Sequence, residues 1–283
     1  MGSFFTNPLI VKEMRERFRT KKTVWILGLY LLVMGAILLG FMYVSKLGGI
    51  RVPGESREVF YLIAIIQYAM ICFIAPALSA GAISGEREKQ TLNILLTTQL
   101  TPGRIIVSKL LTSLAFIFLL IVSSLPLYSF VFLSGGISPT QLLTLFCFFA
   151  VNILFFGSLG LFCSTWIKRT GVSTITAYGL ALFVVVGTGL LFLFIGMLLH
   201  EMYPDAFMGD EVFALPALKV LGALNPVMVM FDTLGEPLGP SINFFMPQWL
   251  FFTIVYSLIS FLIVAWSAYL LRPIRRTWLR WKK

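Results

Sequence analysis

Six apolar runs, each long enough to cross a membrane, limit what this chain can fold into. They cover residues 24–44, 59–83, 105–133, 141–167, 171–199 and 249–271. About 20 apolar residues span a hydrocarbon core as a helix. Lipid offers no water to peptide N–H and C=O groups, so each run must satisfy its own backbone by coiling. The short alternating segments of a membrane β-barrel are absent. With 58% apolar and only 12% charged residues, a soluble body of this size has too little polar surface to cover itself. The predicted class is an all-α integral membrane protein with six transmembrane helices. Its 283 residues form a single transmembrane domain. No small-residue cleavage site follows the first run, so a cleaved signal peptide is not expected.

Charge then orients the helices. Residues 1–23, 84–110, 168–170 and 272–283 fall on one side and hold 18 basic against 4 acidic residues. Residues 45–58, 134–140 and 200–248 hold 4 basic against 8 acidic residues. Lys and Arg gather on the cytoplasmic side. The expectation is a multi-pass protein of the plasma membrane with both termini cytoplasmic. Residues 1–22 would form an amphipathic cytoplasmic helix, 24–271 the bundle and 272–283 a basic tail. The net charge of +10 thus reads as topology and contact with anionic lipid, not nucleic-acid binding. Residues 212–231 are long enough for a seventh span, but Lys219, Pro216 and Pro226 interrupt them. They read as short external helices lying on the outer leaflet or dipping into it.

The interiors of the spans lack Asp, Glu, Lys, Arg and His, the groups that couple ion flow to transport. Cys72, Cys147 and Cys163 lie within spans and have neither disulfide-framework nor zinc spacing. No metal site is expected. No paired acids, activated serine or phosphate-binding glycine loop is present, so no catalytic residue is assigned. Gln67, Asn152, Thr174 and Thr176 are neutral polar residues within spans. Such residues tie helices together, and these four are also the candidates to line a path.

Two amphipathic pieces remain on the basic side. In the first, Asn7 and Pro8 open a helix with Leu9, Ile10, Met14 and Phe18 on one face. Lys12, Arg15, Glu16 and Arg19 lie on the other, facing a partner or the lipid headgroups. The second is GEREKQTLNILLTTQLTPGRIIVSKLL, between spans two and three. Ala77, Gly81 and Gly85 lead into it as a small-residue ladder for close helix packing. Glu86 and Glu88 then suit a helix start. Leu92, Leu95 and Leu96 form an anchoring stripe, and Thr101 and Pro102 begin the third span.

The second stretch resembles the permease subunits of ABC-2 type transporters. The matching positions are Glu86, Arg87, Glu88, Thr91, Leu92, Leu95, Leu96, Thr98, Ile105, Ile106 and Lys109. One departure is Gln90, where the family often has Gly. The resemblance implies that this is a coupling helix, with Glu86, Arg87, Glu88, Thr91, Leu92, Leu95 and Leu96 meeting a separate ATP-binding subunit. ATP and Mg would be held by that subunit, and none by this chain. A second permease copy, or a related permease, would complete the pathway as a homo- or heterodimer. Spans one, two and five, rich in spaced small residues, are the expected contact. The resemblance further implies an exporter whose outer mouth the external helices help to close. Residue chemistry alone leaves two matters open. Glu86 or Glu88 could pair with Arg15 or Arg19, and a passive channel or lipid-organising protein also needs no coupling charges.

Overall fold

The computed structural model describes residues 11, 13–15, 18–19, 21–47, 55–92, 95, 101–133, 137–202, 215–236 and 247–271. Among these the chain is helical, with no strand. Six helices are long and apolar enough to cross a membrane. The first span is α1 (Lys21–Leu47) and the second α2 (Glu55–Ala80), followed by a short α3 (Ser84–Glu88). The third and fourth spans are α4 (Pro102–Leu133) and α5 (Pro139–Trp166). The fifth is composite: α6 (Thr170–Leu182), a π turn over Phe183–Gly187, and α7 (Thr188–Met202). Two short helices, α8 (Pro216–Leu224) and α9 (Pro226–Leu234), precede α10 (Gln248–Leu270), the sixth span.

Local chemistry sets several of these boundaries. Sequence periodicity starts the fourth span at 141, but the helix begins at Pro139 because Ser138 and Gln141 form a reciprocal capping box. Pro102 opens the third span as expected. Pro76 and Pro126 lie inside their helices. The π turn has no counterpart in the sequence pattern, since an apolar run looks the same whether it winds at 3.6 residues per turn or wider.

The fourth span is the centre of the bundle and packs on spans two, three, five and six. Its meeting with the second span is the closest. A Cβ added at Gly160 would stand 2.1 Å from Ser79 Oγ and 3.0 Å from the Pro76 carbonyl oxygen. The close approach therefore belongs to Gly160. In the expected ladder, Ala77 is exposed. Gly81 and Gly85 face Thr170 at ordinary distances, where an added Cβ would stand 3.4 and 4.0 Å from its side chain. The main core joins Tyr30 and Met34 of span one to Phe60 and Ile63 of span two and to Phe149, Phe156 and Phe252 of spans four and six. Spans one and five are the least covered and span three the most.

The pair α8–α9 dips into the bundle. Leu224 O accepts from Tyr256 Oη at 2.7 Å, about 12 Å along the sixth span from its start at 1.5 Å per residue. At its other end, Leu234 O accepts from Gln141 Nε2 at 3.3 Å and from Tyr61 Oη at 3.5 Å. Those partners sit at the starts of spans four and two. Both ends of α9 are thus tied to the bundle by side chains of spans two, four and six. A broken helix needs protein groups to satisfy its freed backbone; at the apex Asn225 is buried and Leu224 half-buried against such partners.

Candidate coupling site at the basic end

Glu86, Arg87 and Glu88 sit where the second span ends, and each turns to a different neighbour. Glu86 Oε1 accepts from Lys109 Nζ at 2.8 Å. The same ammonium meets Glu13 Oε1 at 2.5 Å. Glu13 Oε2 in turn accepts from Thr112 Oγ1 at 2.8 Å. One lysine thus joins the N-terminal segment, the end of span two and the start of span three. Thr91 closes the cluster by donating from Oγ1 to Glu86 Oε2 and from its backbone N–H to Glu86 O at 3.0 Å. Two carboxylates thus share one ammonium in a largely buried place, so losing the lysine would leave them facing each other.

Arg87 reaches the end of span four, donating to Thr165 O at 3.3 Å and to Ile167 O at 3.5 Å. These carbonyls lie in the final turn of a helix, where a cation matches the orphaned acceptors. Glu88 turns to the start of span five and accepts from Thr170 N at 2.7 Å. An acid there matches the orphaned donors and the positive end of the helix dipole. Ser164 completes the knot: its Oγ accepts from Ile83 N at 2.8 Å and from Ser84 N at 2.9 Å. Three consecutive charges therefore hold spans three, four and five to the end of span two.

Beyond the knot the chain turns outward. Glu88, Lys89 and Gln90 are exposed. Gln90 has φ 59°, the left-handed region that L side chains enter at a cost. A backbone of that shape favours glycine, so the departure seen in sequence places a side chain where it carries strain. Leu92 is buried with Ile83, Ile105 and Ile106, and Leu95 packs against them. The anchoring stripe thus holds to the base of the bundle as far as it is described. Leu96, Thr98, Lys12 and Glu16 lie outside the described residues, as does the start of the first amphipathic helix. Arg15 and Arg19 are exposed, and neither takes Glu86 or Glu88.

Lys109 is buried, at 8% exposure. Sequence reasoning passed over its partner Glu13. A signal existed, since a lysine within an apolar run needs a counter-ion. The carbonyls of Thr165 and Ile167 and the amide of Thr170 carried no such signal, because backbone groups are the same in every residue.

The candidate path residues fall into two pairs. Gln67 accepts from Tyr30 Oη of span one and is 1% exposed. Asn152 is fully buried and donates to Phe148 O of its own helix at 2.8 Å. Both are packed inside this chain. Gln67 ties spans one and two, the alternative role offered by sequence. Thr174 and Thr176 are half-buried; each donates to the carbonyl four residues back, Thr170 and Val172 respectively. Among the described residues, no three His, Cys, Asp or Glu side chains gather where they could hold a metal ion.

A six-span helical bundle, with its charges knotted at one end and a re-entrant helix pair at the other, is a multi-pass membrane protein built like a transport component. A family profile described as ABC-2 family transporter protein matches residues 8–271. The chain belongs to that family and is a permease subunit of an ABC transporter. A search of curated proteins gave no match.

Proposed function

We propose that this permease is the membrane-spanning half of an ATP-driven exporter and that its basic end, including both termini, faces the cytoplasm. A separate ABC-type subunit there binds ATP and magnesium. The observation that carries the reading is the knot itself. Glu86, Arg87 and Glu88 each grip a different span, so a push on the adjoining exposed turn reaches spans two to five together. Lys89 and Gln90, with exposed Arg104 nearby in sequence, supply the polar face of the contact, and Leu92 and Leu95 seat it on the bundle. A second permease, identical or related, packs against spans one and five, the faces this chain leaves uncovered, and membrane lipid covers the rest. Gly81 faces Thr170 within the chain, so a substitution there probes the contact of spans two and five.

The test is a pull-down of the tagged chain from native membranes in mild detergent. Wild type is compared with a Lys89→Glu/Arg104→Glu variant and a Glu86→Ala/Glu88→Ala variant. The reading expects an ABC-type ATP-binding protein with wild type and about ten-fold less with the charge reversal, equivalent to about 1.4 kcal/mol of binding. Equal recovery from all three moves the contact away from this turn. No ATPase with an intact wild-type chain overturns the coupling reading in favour of a passive membrane protein.

A further inference from the structure

The fifth span is regular on both sides of Phe183–Gly187, where it winds as a π turn. A π turn holds one residue more than the α-helix it interrupts, and the wider coil leaves carbonyls without their usual donors. Asn225, at the apex of the re-entrant pair, covers that gap. Its Nδ2 donates to Val185 O at 3.0 Å and to Thr188 Oγ1 at 2.8 Å. Thr188 Oγ1 passes the bond on to Val184 O at 2.6 Å. The other side of the same amide caps α9, with Oδ1 accepting from Met228 N at 3.0 Å. Gly189 opens the approach, since a Cβ there would stand 3.2 Å from Asn225 Nδ2. The asparagine is 1% exposed.

We propose that Asn225 is a latch: it holds the fifth span at its π turn in the resting state, and the transport cycle withdraws it. Once Asn225 leaves, the Val185 carbonyl loses its side-chain donor, and the turn's own backbone hydrogen bonds loosen. The re-entrant pair and the outer half of span five therefore change together. The latch rests on the permease reading, because only a working cycle gives it something to release.

Two variants separate the latch from general packing. Asn225→Asp keeps the acceptor that caps α9 and removes the donor to Val185. Gly189→Ala leaves Asn225 in place but crowds its approach. Hydrogen–deuterium exchange on the purified chain in lipid nanodiscs reads the peptide over 183–189. Both variants are expected to raise its exchange about ten-fold, the scale of losing one or two net hydrogen bonds. Residues 226–234 should stay protected. Unchanged exchange at 183–189, or a rise shared by every span, overturns the clamp. The second arm uses the wild-type chain with its co-purified ATPase, with and without ATP and vanadate. Exchange at 183–189 that rises on trapping supports release during the cycle. Clamp variants that behave as expected, with no change on trapping, make Asn225 static packing and overturn the latch. If no ATPase accompanies the chain, the permease reading fails and takes the latch with it, whereas the nanodisc result still measures the clamp.

Discussion

The two ends of the bundle solve the same problem with opposite chemistry. At the basic end, loose helix ends are held by full charges: Lys109 between Glu13 and Glu86, Arg87 on two carbonyls and Glu88 on an amide. At the re-entrant apex, a broken helix is held by neutral groups alone, the Asn225 amide and the Tyr256 hydroxyl. The difference follows depth. Desolvating a charge costs several kcal/mol unless its partners are complete, roughly twice or more the cost for an amide. Charges therefore suffice at the more open knot, where mismatch is forgiven, and a neutral amide with both faces used is the cheaper device where burial is complete.

Four substitutions test how sharply the ends differ, starting with the largest effect. Lys109→Met leaves two facing carboxylates without a cation and should cost about 3–5 kcal/mol, read as a lowered thermal midpoint in detergent. Adding Glu13→Gln and Glu86→Gln to it should recover most of that loss; a triple variant as unstable as the single one would mean Lys109 acts by packing alone. Next, Tyr256→Phe strips the donor from a buried carbonyl and should cost about 1–3 kcal/mol. An effect below a few tenths would show that water reaches the apex, and the contrast between ends would fail.

Gln90→Gly should move the other way. It relieves a left-handed side chain, a strain of about 1–2 kcal/mol at most, and should raise the thermal midpoint slightly. A destabilised Gly variant would mean the turn is held by the glutamine side chain. The smallest effect is expected at Asp232, whose carboxyl burial pushes above its ordinary value of 3.8. The folded state then holds its proton more tightly than the unfolded one. Stability should rise as pH falls through the raised value and level off below 3.8. Asp232→Asn should flatten that part of the curve of midpoint against pH, and an unchanged slope would assign it to other groups.

The membrane architecture was legible because lipid leaves one solution to an apolar run of this length. The Glu86–Arg87–Glu88 cluster and its leucines were legible as a patterned piece where a plain turn would have served. Their partners were not. Thr165, Ile167 and Thr170 contribute backbone atoms, and Glu13 lies 96 residues from Lys109 in a helix read for its basic face. The π turn and Gly160 escaped for a related reason. Periodicity and small-residue spacing name a helix, but the face that meets a neighbour depends on a contact made elsewhere in the chain.

The re-entrant apex also imposes an order on synthesis. The Leu224 carbonyl relies on Tyr256, 32 residues further along, and Asn225 relies on the fifth span already emerged. A chain delivered from its N-terminus places the apex before its second support exists. An open carbonyl in lipid is costly, so α8 and α9 have reason to wait at the membrane surface until the sixth helix enters. Truncation before Tyr256 should then strand the pair outside the bundle, where a cysteine placed in α9 would label from water.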